Sequence, residues 1–297
     1  MARVVVPLAG RGGTEVGALV CDQLRELLST AERKRLRVAS VGVSVPGISH
    51  TQAGTVWAPN IPGWDRYPLR RQILSALAGG KISVAIDSDR ACYVMGEAWR
   101  GAARRCRNVI FLAVGTGIGA GILVDGQVLR GAHDVAGAIG WLALNRPYER
   151  HYGDCGCFEY HASGAGLAKV ANAAKARNQG NDRRASAKAK PFTDAQSVFA
   201  AYERGDALAT DVVGQAVEFW GMAVANLVSL FNPEKIILGG GVFGPARKLL
   251  PAIYAEARKW AQPFSVLQVK LEASKLGGDA GLYGAGRLAL AMARKGE

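Results

Sequence analysis

Residues 108–126, NVIFLAVGTGIGAGILVDG, are the stretch whose reading decides the fold. Residues 109–114 form an unbroken apolar run, the pattern of a strand buried on both faces. Gly115, Gly117, Gly119 and Gly121 then alternate with Thr116, Ile118 and Ala120, and a second apolar run, 122–124, ends at the turn pair Asp125-Gly126. The pattern predicts a strand, a glycine turn and a return strand. Glycine at alternate positions uncovers backbone N–H groups and lets something bulky come into contact, and Thr116 adds a hydroxyl at the tip. A phosphate would suit such a turn, although a purely structural hairpin uses the same residues.

Immediately upstream, the apolar run 82–86 leads into Asp87-Ser88-Asp89-Arg90 and a helical stretch, 91–100. Polar residues at the carboxyl end of a strand and the start of a helix are where open α/β folds place ligands. They are equally where helices take their caps, and both readings stand. Downstream, the long apolar helix 207–230 precedes Asn232-Pro233-Glu234-Lys235, a strand over 236–238 and Gly239-Gly240-Gly241 opening toward a helix. This second glycine element is suited to an anion or a nucleotide. Further strands are expected at 4–7, 37–45, 54–57 and 266–273, and helices at 15–28, 69–77, 165–176, 194–204 and 281–295. Residues 177–190, charged and rich in Gly, Asn and Ser, read as a mobile surface loop.

With 297 residues, 49% of them hydrophobic, and 38 glycines, the chain has enough for two packed α/β domains. We find no apolar segment of the roughly 18 residues a membrane span requires and no signal peptide in MARVVVPLAGRGG, so a cytoplasmic protein is expected. Five cysteines with one close pair argue against a disulfide framework. A formal charge of +13 raises the question of nucleic acid. The basic residues are scattered, however, no aromatic residues interleave with them, and no helix-turn-helix or zinc-finger spacing occurs, so neither nucleic acid nor membrane is expected as a partner. His50 and His133 read as surface or loop residues, and no Ser/His/Asp set stands out.

Taken together, four motifs in order make the chain resemble the ROK family of sugar kinases and related repressors: SVGVSVPGISHTQAGTVWAPNIPGW ending at Trp64, VGTGIGAGILVDG, LFNPEKIILGGGV and LGGDAGLYGAG. The resemblance implies the actin-like ATPase (ribonuclease H-like) fold, with two α/β domains closing on a cleft. It would place a smaller sugar-side domain at 1–107, joined by a returning helix at 284–297, and a larger nucleotide-side domain at 108–283. It implies ATP-dependent phosphorylation of a hexose or amino sugar hydroxyl, with Asp89 as general base and ATP and Mg²⁺ required. Gly47, Asn60, Ser88, Asp89 and Glu159 would meet the sugar, and Gly115, Thr116, Gly117, Gly119, Gly239, Gly240 and Gly241 the nucleotide. A homodimer is usual in such proteins. The alternative is a non-catalytic, sugar-sensing or transcription-regulatory member; that branch carries a helix-turn-helix, and none is read here.

Three departures qualify the resemblance. The family's opening Asp-x-Gly-Gly-Thr motif has only Gly10-Arg11-Gly12-Gly13-Thr14 as a counterpart. Arg11 cannot replace a carboxylate near a metal, and the interval to Pro46-Gly47 is too short for the intervening strands. We read this similarity as coincidental and expect the chain to begin after that hairpin, which would leave it a weak or inactive kinase as written. The family's Ala-Gly-Glu-Ile-Gly-His reads Ala136-Gly137-Ala138-Ile139-Gly140-Trp141, so no hexose preference carries over; Trp141 would pack on a sugar face or fill the gap. Of the family's zinc cluster only Cys157 falls on a ligand position, and His151, Cys155, Cys157 and His161 fit no defensible zinc spacing, so zinc is not expected.

Overall fold

The computed structural model describes residues 3–77, 82–179 and 190–294; 180–189, which hold most of the expected surface loop, lie outside them. Residues 4–7 form no strand. Val5 is 79% exposed and no strand lies beside it among the described residues, and β-branched residues alone do not make a strand without a pairing partner.

The chain proper starts with helix α1 (Gly13–Arg33), followed by β1 (Ser40–Val45), β2 (Ile48–His50), β3 (Thr55–Trp57), α2 (Leu69–Ala76) and β4 (Ser83–Ser88). Here β1 pairs in parallel with β4, and β2 antiparallel with β3. Their core gathers Val16, Val45, Val56, Leu69 and Ile73 around Trp64 and Tyr67, whose rings stack at 4.6 Å. The Trp64 indole N–H donates to the Gly13 carbonyl at 2.9 Å, fixing the start of α1.

Helix α3 (Asp89–Arg100) carries the chain into the larger sheet, made of β5 (Val109–Val114), β6 (Ile118–Val124), β7 (Gln127–Val128), β8 (Lys235–Gly239) and β9 (Lys270–Ala273). The strand order is β7-β6-β5-β8-β9, antiparallel through the hairpin and parallel from β5 to β9. The central run alternates as a doubly covered strand must. Ile110, Leu112 and Val114 join the core on one face, and Val109 and Phe111 the core on the other. The first face is covered by α4 (Tyr152–Cys155), α5 (Cys157–Ala162), α6 (Gly164–Gln179), α7 (Ala195–Glu203), α8 (Ala207–Phe231), α9 (Leu250–Trp260) and α10 (Pro263–Val266).

Helix α8 is long and apolar enough, by length and composition, to cross a membrane, which the search for apolar runs missed because Asp211 and Glu218 interrupt it. Its apolar residues are instead the core: Val212, Ala216, Trp220, Val224, Leu227 and Val228 are all buried. Val266 ends α10 rather than beginning a strand, and only Lys270–Ala273 pairs with β8.

The last helix, α11 (Ala280–Ala293), returns to pack on α3, β1 and β4. Contact is through glycine: a Cβ on Gly284 would overlap the Cys92 carbonyl, one on Gly96 the Ala280 carbonyl, and one on Gly42 the Ala285 carbonyl. Alanine in a helix interior is ordinarily about 1 kcal/mol better than glycine. At Gly284 the obstacle is rigid backbone, so overpacking of about 1–3 kcal/mol outweighs that gain. Gly284→Ala is therefore expected to lower the thermal midpoint; a rise would show that the two helices can separate freely.

Candidate active site

One open cleft of about 1160 Å³ is lined by residues from both sheets' surroundings. Gly47, Ile48, Trp57, Pro59 and Asn60 line it from the β1–β3 side, Asp89, Arg90 and Tyr93 from the first turns of α3, and residues 115–119 from the β5–β6 turn. Glu159, Trp141, residues 239–241, Arg247 and the Ala273–Gly278 segment complete it. Of the residues expected at a site, every one except Ser88 is in this lining.

Ser88 is the N-cap of α3. Its hydroxyl accepts the Ala91 N–H at 3.3 Å, and it borders a small separate pocket rather than the cleft. Capping, one of the two readings open from sequence, is what it does. Asp87, beside it, is 2% exposed and receives both terminal nitrogens of Arg130, at 2.7 and 2.6 Å. Gly10-Arg11-Gly12-Gly13-Thr14 contributes nothing to the cleft: Arg11 donates to the Leu8 and Pro7 carbonyls, and the Gly13 N–H to the Pro62 carbonyl.

The expected phosphate-binding glycines have distinct reasons for being glycine. At Gly115 and Gly241 a Cβ would meet nothing within 4 Å, so backbone is open to the cleft there. At Gly117 that space holds the Glu159 carboxylate, 2.7 Å from where a Cβ would stand, and at Gly119 it holds the Arg90 Cδ, at 2.6 Å. At Gly121 it holds the Arg90 carbonyl. The alternate glycines of β6 thus let the first turn of α3 sit directly on the hairpin. Gly240, at φ +94°, both turns left-handed and lies against the Val114 carbonyl. It leads into two 3-10 turns, Gly241–Phe243 and Pro245–Leu249, before α9 begins, so no α-helix dipole is aimed from this glycine run.

Asp89 is half-buried. Its Oδ1 accepts the Arg90 N–H at 2.8 Å and its Oδ2 the Tyr93 hydroxyl at 3.4 Å. Burial raises its pKa above the ordinary carboxylate value, opposed by those hydrogen bonds and the Arg90 charge. The same neighbourhood pushes Tyr93 up to about 12, chiefly through burial and then through the Asp89 charge. The Tyr93 ring lies 5.2 Å from that of Phe111, which fills the space above Gly239. A continuous chain of contacts therefore links the carboxylate to the second glycine element. Burial likewise raises Glu159, whose Oε2 accepts the Ile118 N–H at 2.6 Å.

Behind the cleft, the fully buried Glu97 of α3 accepts the Ala102 N–H at 2.6 Å, the Ser274 hydroxyl at 2.5 Å and the Leu276 N–H at 3.0 Å. It ties α3 to the segment that lines the far end. Sequence reasoning left Arg90, Tyr93, Trp57 and the 273–278 segment out of the site. Tyr93 had a signal, since it lies four residues beyond Asp89 and so on the same helix face. Trp141 is 58% exposed into the cleft, so it does not fill a gap. His161 lies 2.8 Å from the Tyr152 hydroxyl and stacks on Phe219 at 4.3 Å. Among the described residues no three His, Cys, Asp or Glu side chains converge as a metal site requires.

The sequence profile of the ROK family matches residues 12–292. A glucokinase of Halalkalibacterium halodurans is 30% identical over 280 residues, covering 93% of this chain and 84% of that protein. A xylose repressor of Caldicellulosiruptor bescii is 32% identical over 224 residues, 74% of this chain and 55% of the repressor. Among solved structures, the ROK hexokinase of Thermus thermophilus superposes with a TM-score of 0.79 at 29% identity, covering 98% of this chain and 91% of that one. A ROK glucokinase of Streptomyces griseus, in complex with glucose and AMPPNP, gives 0.69 at 27%, covering 92% and 88%.

Proposed function

The chain belongs to the ROK family, whose solved relatives share the actin-like ATPase fold, and from that premise we propose that it phosphorylates a sugar hydroxyl with ATP, using Asp89 as general base. The observation that carries the proposal is the convergence of Asp89, the 115–119 turn and the 239–241 run on one cleft large enough for a sugar and a nucleotide. In the reaction the sugar oxygen forms a bond to the γ-phosphorus, and the bond to the β,γ-bridging oxygen breaks with its electron pair leaving on ADP. The hydroxyl proton passes to Asp89.

Gly47, Asn60 and Glu159 are the proposed sugar-side residues, and Gly115, Thr116, Gly117, Gly119, Gly239, Gly240 and Gly241 the nucleotide-side ones. Ser88 leaves the set because it borders the small separate pocket and does not line the cleft. Asp89 and Glu159 are the carboxylates that line the cleft among the described residues, and this reading assigns one to the proton and the other to the sugar, so Mg²⁺ arriving with the nucleotide would be held mainly by phosphate oxygens and water. When bound with the nucleotide, Mg²⁺ would neutralise phosphate charge. The same reading divides the chain near residue 107, with α11 returning to the first lobe; its packing on α3 and β1 supports this. We take the protein to be cytoplasmic, in keeping with five unpaired cysteines. We also take it to be a homodimer, supported by exposed Leu230, Trp260, Phe264 and Leu267.

The test is ADP release measured against a panel of hexoses and amino sugars, with tryptophan fluorescence following sugar binding. Sugar-dependent release is expected. Sugar binding with no release from any member would favour a regulatory protein, the reading to which the xylose repressor's similarity points.

A further inference from the structure

Arg90 lines both the cleft and the small pocket beside it, and its guanidinium acts on Asp89 through charge without a contact. Among the described residues it makes no hydrogen bond and no ion pair, although the side chain is half-buried. Five N–H donors on a permanent charge rarely remain unused in such a place. The acids around it are already committed. Both oxygens of Asp87 are held by Arg130, and those of Asp89 accept from the Arg90 backbone N–H and the Tyr93 hydroxyl.

The stem of Arg90 lies across Gly119, one of the residues of the β5–β6 turn, and its own backbone follows Asp89. Arg90 therefore stands at the seam between the base and the turn. In the proposed reaction the transferred phosphoryl group must occupy that seam, reached by the sugar oxygen from the Asp89 side. A planar guanidinium matches two phosphoryl oxygens at once and cannot lose its proton there.

Resting on the kinase reading above, we propose that Arg90 binds the terminal phosphoryl group of the nucleotide and stabilises its charge during transfer. As the bond to the bridging oxygen breaks, charge on the phosphoryl oxygens and on departing ADP is met by a cation already in place. Gly119 is glycine, on this view, so that the arginine stem can reach across the hairpin.

The experiment compares the unaltered protein with Arg90→Gln and Arg90→Lys, each checked for an unchanged circular dichroism spectrum. ATP, ADP and AMP affinities are measured by calorimetry, and turnover with the best sugar of the panel. Arg90→Gln is expected to lower kcat about a hundredfold or more and to weaken ATP binding about tenfold, roughly the loss of one charged hydrogen-bonding contact. AMP binding and the sugar response of tryptophan fluorescence are expected to stay within twofold. Arg90→Lys should recover part of both losses, because it keeps the charge without the fork. Added guanidinium ion should restore activity to Arg90→Ala, which a packing role would not predict. Equal ATP affinity in Arg90→Gln and the unaltered protein, or an equal loss for AMP and ATP, would overturn the proposal. Absence of turnover in the unaltered protein would remove the kinase reading, while the nucleotide comparison still decides Arg90.

Discussion

Asp89→Asn is expected to lower kcat by about 10²–10⁴-fold, the range for removing a positioned general base, while the KM values for sugar and nucleotide change little. Asparagine keeps the size and one acceptor oxygen, so the Arg90 N–H retains a partner. What it loses is the ability to take a proton. The pH dependence provides a second signature. Burial raises the Asp89 pKa, so the unaltered protein should lose activity, as pH falls, at a point above that of an exposed aspartate.

Stability moves the other way. A group whose folded pKa lies above its unfolded one contributes stability that is present below the unfolded pKa and is lost as pH rises through the folded pKa. At neutral pH the ionised Asp89 is thus a cost to folding, and Asp89→Asn should melt at the same temperature or higher. The decisive measurements are kcat across pH and thermal midpoints at pH 7. A kcat within tenfold of the unaltered protein would remove Asp89 from the role of base, and a lower midpoint would show that activity was lost through the fold.

Arg130→Met is expected to destabilise the protein by about 2–4 kcal/mol. Breaking a buried ion pair from one side typically costs about 3–5 kcal/mol, because the remaining charge is stranded. Arg130 keeps a third of its exposure, so water can reach part of the site and the figure is discounted. Asp87, 2% exposed, would be left with the N–H of Ser88, at 2.9 Å, as its hydrogen-bond donor among the described residues. In a chain of this size that corresponds to a midpoint lower by roughly 5–12 °C. Asp87→Asn combined with Arg130→Met should recover much of the loss, since no buried charge then remains. Calorimetric melts of the two single variants and the double variant test this. A double variant as unstable as the sum of the singles would show that the pair matters through packing rather than charge.

The parts of this molecule that could be read from sequence are those where a short run carries its own physical reason. Residues 109–114 read correctly because only a strand covered on both faces needs six apolar residues in succession. The helix after Ser88 announced itself by its cap. Reading failed where the reason lay elsewhere in the chain. Residues 4–7 have strand composition but nothing to pair with, and Val266 belongs to a helical turn opened by Gln262 and Pro263. The alternate glycines read as a turn suited to phosphate; that two of them also accommodate α3 and a third Glu159 was not legible, because those neighbours lie elsewhere in the chain. Arg90 stood in the polar corner the sequence marked but without a role of its own, and Arg130 carried no local signal, because its partner is an aspartate 43 residues away.

The seating of the first turn of α3 on the glycines of β6 has a kinematic consequence. Although α3 grows out of β4, its leading residues interlock with the β5–β6 hairpin of the larger sheet, so Asp89, Arg90 and the 115–119 turn share one frame of reference. The wall bearing Gly47, Trp57, Pro59 and Asn60 belongs to the same frame, because Val45, two residues before Gly47, pairs with Ser88 beside Asp89, and the exposed Thr51–Asp134 contacts at 3.1 and 3.3 Å join it to the far side. Continuous backbone pairing and close glycine contacts thus hold the proposed base, the turn and the acceptor's wall together before any ligand arrives.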